Sequence, residues 1–79
     1  MITAEQCRAA RILLGWTAAD LVTASRLGIA TIKRFESGQQ VQQASVETIQ
    51  AALVDAGVIF LSEGAPSPVG GAGVRLSLG

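Results

Sequence analysis

The chain has 79 residues, one cysteine and no histidine, and those counts limit the chemistry its side chains can perform. Cys7 is the one thiol, and no imidazole is present to take its proton and make it a nucleophile. A small core residue is the expected role. One thiol cannot form an internal disulfide, which fits a reducing cytoplasm. A zinc site would need mostly carboxylates, so no metal is expected. No pair of carboxylates has spacing suited to acid–base work, so neither catalysis nor a cofactor is expected. Gly70-Gly71-Ala72-Gly73 lacks both the strand–loop–helix context and the lysine of a phosphate loop, and it reads as a linker. Recognition is left as the function to look for.

Six Lys and Arg balance six Asp and Glu, for a net charge of zero. A polybasic arm is thereby excluded, while a local basic face is not. With 49% apolar and 15% charged residues, the composition is that of a folded chain. The length suits one domain, and a domain this small buries only about 60% of its chain surface. A mean hydropathy of +0.45 points to apolar surface covered by a second chain. Met1-Ile2-Thr3-Ala4-Glu5 lacks a basic stretch followed by an apolar one, so no signal peptide is expected. The longest strongly apolar run, Val58-Ile59-Phe60-Leu61, is too short to span a bilayer. The expectation is a cytoplasmic protein without membrane contact.

Four helical patterns and a strand-like tail follow one another. Thr3-x-x-Gln6 is a capping-box signal, followed by Cys7, Ala10 and Leu14 at helical spacing and a stop at Gly15. Thr17-x-x-Asp20 repeats the capping logic for a second helix to about Ser25, with Leu21 and Val22 apolar and Trp16 packed beneath it. Arg26-Leu27-Gly28 reads as a short break. A third helix covers roughly Ile29 to Glu36, with Ile32 and Phe35 inward and Ser37-Gly38 as its end. A glutamine-rich connector leads to a fourth helix from Ser45, with Val46, Ile49, Leu53 and Val54 at helical spacing and Gly57 as the stop. Val58–Leu61 and Val74–Leu78 read as two strands flanking a Gly- and Pro-rich loop from Gly64 to Gly73. Residues 1–57 form the expected helical domain. Residues 58–79 form a tail that packs on it or on a second subunit, because an isolated hairpin is marginal in water.

Two short helices joined by a tight turn, with a third against them, make a helix-turn-helix. Residues 3–57 resemble the phage-repressor-like (Cro/CI, XRE) family of bacterial transcriptional regulators. The residues carrying the resemblance are Arg11-x-x-Leu14-Gly15-Trp16-Thr17, Leu21, and Thr31-Ile32-Lys33-Arg34-Phe35-Glu36-Ser37-Gly38. The tail, Ala51-Ala52-Leu53-x-x-Ala56-Gly57-Val58-x-Phe60 and Gly73-Val74-Arg75-Leu76, resembles a compact bacterial branch of that family. The resemblance implies a mainly α, four-helix bundle of Cro/CI type followed by a short C-terminal β-hairpin. It also implies a homodimer on double-stranded DNA, with the third helix in the major groove. The DNA-reading positions fall on Gly28, Ile29, Ala30 and Lys33. The family's polar residues at 28 and 29 are Gly28 and Ile29 here, its glutamine at the start of the second helix is Ala18, and its turn glycine is Arg26. Gly28 is then expected to supply the turn's positive φ. The expected DNA set is Arg26, Ile29, Ala30, Thr31, Lys33, Arg34 and Gln40. Arg26 and Lys33 would take phosphates by charge, and Gln40, Gln42 or Gln43 would bond the backbone. The family also pairs an arginine of the first helix with the glutamate before the terminal glycine, which makes Arg11–Glu36 a structural ion pair. Dimer contact is expected at Val58, Phe60, Val74 and Leu76 by edge pairing.

A second function stands beside the first. The zero net charge, the apolar Gly28-Ile29-Ala30 start and Ala18 also suit a helix-turn-helix turned to binding another regulatory protein, as an antiactivator does. Ile12, Leu13, Ile29 and Val41 would add apolar surface to such a contact.

Overall fold

A computed structural model describes residues 1–61 and 73–77. It contains four helices, α1 (Ala4–Leu14), α2 (Ala18–Ser25), α3 (Ile29–Glu36) and α4 (Gln43–Asp55), followed by strands β1 (Val58–Leu61) and β2 (Gly73–Leu76). Local signals set the first two helices. The Thr3 hydroxyl accepts the Gln6 amide at 3.1 Å, and the Gln6 side chain accepts the Thr3 amide at 2.9 Å. Thr17 and Asp20 repeat this reciprocal cap on α2. Each box satisfies two N–H groups that the helix leaves without a partner.

Helix α1 ends on Gly15 with φ 69°, as expected. The end of α2 differs from expectation. Arg26, not Gly28, adopts the left-handed conformation, with φ 62°, and its amide donates to the Val22 carbonyl at 2.8 Å. Gly28 has φ −69° and is an ordinary extended N-cap of α3. The reason is the tight end of α2: the first residue after Ser25 must turn back to close the last carbonyl. The Ser25 hydroxyl accepts the Leu27 amide at 3.3 Å and holds the following residue in the turn.

Helix α4 begins at Gln43, two residues before the expected Ser45. Nothing in the glutamine-rich connector breaks a helix, and the Gln42 carbonyl already accepts the amides of Ser45 and Val46. Val54, expected inward, is 48% exposed. Val46, Ile49 and Leu53 share one face, and Val54 lies about 100° beyond Leu53. Val41, expected on the surface, packs against the core.

That core joins Ile2, Cys7, Ala10, Leu21, Ile32, Phe35, Val46, Ile49, Leu53 and Val58, so every element except β2 contributes a buried residue. Leu14, Trp16, Val22, Phe60, Val74 and Leu76 pack around it. Leu21, Ile32, Ile49 and Leu53 are wholly buried. Each such side chain contributes about 1.5–3 kcal/mol relative to exposure.

The strands form an antiparallel hairpin with Val58 opposite Leu76 and Phe60 opposite Val74. Strand alternation places these four side chains on one face, and that face packs on the chain's own core. Val58 is only 2% exposed. These four side chains are taken up by the chain's own core, so the edge pairing expected of these strands would run through their backbone. What the hairpin can present to a second chain is its backbone edges and its other face, Ile59, Leu61 and Arg75. Gly73 belongs to β2 rather than to the loop. The rest of the expected loop, and Leu78, lie outside the described residues. The Ser77 amide donates to the Gly57 carbonyl at 2.7 Å where β2 ends. Gln6 ties the hairpin to α1: its amide nitrogen donates to the Leu61 and Gly73 carbonyls, both at 3.0 Å. Among the described residues, no helix is long and apolar enough to cross a membrane.

Candidate nucleic-acid interface

Helix α3 has two sharply different sides. Ile32, Phe35 and Glu36 are buried, and Thr31 is half-buried. Ile29, Ala30, Lys33 and Arg34 are exposed and fall within one arc of the helix. Arg26 and Gln40 are exposed on the segments before and after it.

The buried side is fixed to α1 by a network centred on Glu36. Arg11 meets its carboxylate with both arms, Nε to Oε2 and Nη2 to Oε1, each at 2.7 Å. Nη1 of Arg11 reaches the Trp16 carbonyl at 3.1 Å, so one guanidinium joins α1, the following turn and α3. The Cys7 thiol donates to Glu36 Oε2 at 3.2 Å, and the Arg8 guanidinium donates to the Glu36 carbonyl. Burial alone would push the Glu36 carboxyl up. The bonds from Arg11 and Cys7 and the charges of Arg11 and Arg8 outweigh it and hold the carboxyl below the usual range. Burial, with the adjacent carboxylate, pushes the Cys7 thiol up to about 12. Cys7 is therefore a protonated core thiol at neutral pH. The expected Arg11–Glu36 pair is present. Arg8 was not singled out from the sequence, although it lies one turn before Arg11 on the same side of α1 and could have been. The link from Gln6 to the hairpin spans 55 and 67 residues and left no local signal.

Charge is unevenly distributed along the chain. Between Leu21 and Val46 the one carboxylate is Glu36, buried and neutralised by Arg11. The cations of that stretch, Arg26, Lys33 and Arg34, are all exposed. The whole-chain balance of zero conceals this local excess, which a running sum along the sequence would have found.

Thr31, Arg34 and Gln40 come together with Val41, Gln42 and Ser45 around an open depression of about 660 Å³ between α3 and the start of α4. It offers one guanidinium and several amide and hydroxyl groups, a donor set suited to phosphate oxygens. Arg26, Ile29, Ala30 and Lys33 lie outside that depression. The start of α3 is bare: Gly28 makes no side-chain cap, and a Cβ there would meet nothing within 4 Å.

A second surface has the opposite character. Ile12 is 74% and Leu13 44% exposed near the end of α1. Leu13 and Leu14 line a cleft of about 230 Å³ with Ala56, Gly57 and Leu76, and among the described residues no charged side chain borders it. Among the described residues no cluster of three His, Cys, Asp or Glu side chains could hold a metal ion. No family model matches the chain, and no curated protein does either.

Proposed function

We propose that the chain is a small DNA-binding transcriptional regulator of the Cro/CI-like helix-turn-helix type, working as a homodimer in the cytoplasm. The observation that carries this reading is the exposed trio Arg26, Lys33 and Arg34, with no exposed carboxylate between Leu21 and Val46. They lie on and beside a helix held rigidly from behind. Duplex DNA presents a dense row of phosphates, and cations that displace its counterions supply most of the sequence-independent affinity. Helix α3 would enter the major groove. Arg26 and Lys33 would meet phosphates, and Thr31, Arg34 and Gln40 would bond sugar–phosphate oxygens from the α3–α4 depression. Two copies would set their α3 helices about 34 Å apart on a two-fold site. The backbone edges of the hairpin, which no other described strand pairs, and the apolar cleft at Leu13 are the surfaces offered for that pairing.

The exposed pair Ile12 and Leu13, beside an uncharged cleft, also favours contact with another regulatory protein. Titration at two salt concentrations against the DNA upstream of its own gene, with random-sequence DNA as control, separates the readings. The regulator gives selective, salt-sensitive binding. Lys33→Ala and Arg26→Ala each weaken it on all sequences and flatten the logarithmic salt slope by about 0.9 per phosphate lost. A folded protein that binds no DNA at low salt sinks this reading and leaves the protein-binding one.

A further inference from the structure

We infer that Ile29 is the residue of α3 that selects sequence, and that it does so by meeting the 5-methyl group of thymine in the major groove. The inference rests on the DNA-binding reading above and names the base that this site takes.

Ile29 occupies the first position of α3 and is 43% exposed. It belongs neither to the buried core nor to the side chains packed around it. Ile32 and Phe35 supply the inward packing of α3, while Ile29, at the edge of the exposed arc, keeps much of its surface open. Gly28, Ile29 and Ala30 carry no side-chain donor or acceptor, so these three residues cannot read base edges by side-chain hydrogen bonds, and Thr31 behind them faces the α3–α4 depression. Lys33 and Arg34 follow one turn later, and a cation is satisfied by any phosphate.

An apolar side chain on a major-groove helix has one apolar partner among the base edges. Guanine, adenine and cytosine present only donors and acceptors there, whereas thymine adds a methyl group. The flanking charges fix the class of partner. Arg26 precedes Ile29 and Lys33 follows it by one turn, both exposed, so a polyanion is drawn to both sides of an uncharged patch. Gly28 and Ala30 keep that patch low. Nothing stands within 4 Å of where a Cβ on Gly28 would lie, so the start of α3 can approach a groove floor closely.

Binding sites are selected from a pool of random-sequence duplexes, then resynthesised with uracil in place of thymine. Uracil keeps the base pairing and the hydrogen-bonding edge and lacks only the methyl. The wild-type protein is expected to select sites with thymine at fixed positions and to lose about fourfold in affinity for each contacted methyl removed. Ile29→Ala is expected to bind thymine and uracil duplexes alike. Lys33→Ala is expected to weaken both and keep their ratio. Equal wild-type affinity for the two duplexes, with salt-sensitive binding retained, overturns thymine reading and leaves DNA binding standing. The same holds if selection returns no common sequence. No binding to any duplex at low salt overturns both.

Discussion

Helices α1 and α2 end in nearly the same left-handed geometry, φ 69° at Gly15 and φ 62° at Arg26, but with residues of opposite kind. Glycine takes that conformation at no steric cost, whereas a residue with a Cβ pays roughly 1–2 kcal/mol. The corner after α1 follows every local rule: a glycine stop, then a full capping box at Thr17 and Asp20. The corner before α3 follows few. It has a strained arginine, no side-chain cap at Gly28 and a β-branched apolar residue at the first exposed helical position. The first corner is tied to the Arg11–Glu36 network through the Trp16 carbonyl. The second carries the exposed cations. Departures from local preference thus gather at the corner whose cations are exposed, which is where the proposed DNA contact would fall.

The contrast is broken most severely at Glu36. Arg11→Ala strands a largely buried carboxylate, and it should cost about 3 kcal/mol, the lower end for a buried pair because Arg11 keeps some solvent contact. Urea unfolding measures this, and a loss within a few tenths would make the network ornamental. Acid and alkali sharpen the same point. The Glu36 pKa is depressed in the folded chain, so its contribution is present above the ordinary carboxylate value of about 4.3 and is lost as pH falls through the folded value. The Cys7 pKa is raised, so its contribution is present at neutral pH. It fades as pH rises from about 8.5, where the unfolded thiol ionises. Loss is complete near the folded value of about 12. Unfolding free energy followed against pH should show both limbs, and Cys7→Ala should remove the alkaline one. An unchanged alkaline limb in that variant assigns it elsewhere.

The second corner predicts gains. Arg26→Gly should raise stability by about 1 kcal/mol through relief of the left-handed strain, while DNA affinity falls. A variant no more stable than the parent would mean that the Arg26 side chain supports the fold. Gly28→Ser should give the smallest effect, a few tenths of a kcal/mol, since a hydroxyl there caps α3 and its Cβ has open space. Thermal melting of the two variants, alone and combined, tests whether the gains add.

Much of the fold was legible because its signals are short-range. The Thr3–Gln6 and Thr17–Asp20 boxes each span three residues, Gly15 acts on the turn beside it, and the apolar spacing of Cys7, Ala10, Ile32, Phe35, Ile49 and Leu53 marks the inward faces. Where the local signal is ambiguous, the structure departs from it. Gly28 was the obvious residue for a positive φ, but the backbone turned at Arg26, because the last carbonyls of α2 must be closed by the next amide. The glutamine-rich connector held no stop, so the start of α4 was misplaced. Of the candidate site, the exposed cations were nameable from the sequence. That no exposed carboxylate lies between Leu21 and Val46 depended on Glu36 being taken up by Arg11.

The sequence by itself therefore determined the element order, the caps of α1 and α2 and most of the inward stripes, because those follow from bonds and side-chain spacing within a few residues. Only the tertiary structure decided which surfaces remain outside. It buried Val58 and turned Phe60, Val74 and Leu76 toward the core, brought Gln6 to both strands of the hairpin, and left Ile29 outside the core with much of its surface open. Those outcomes depend on contacts between residues far apart in the chain, and such contacts exist only once the helices have packed.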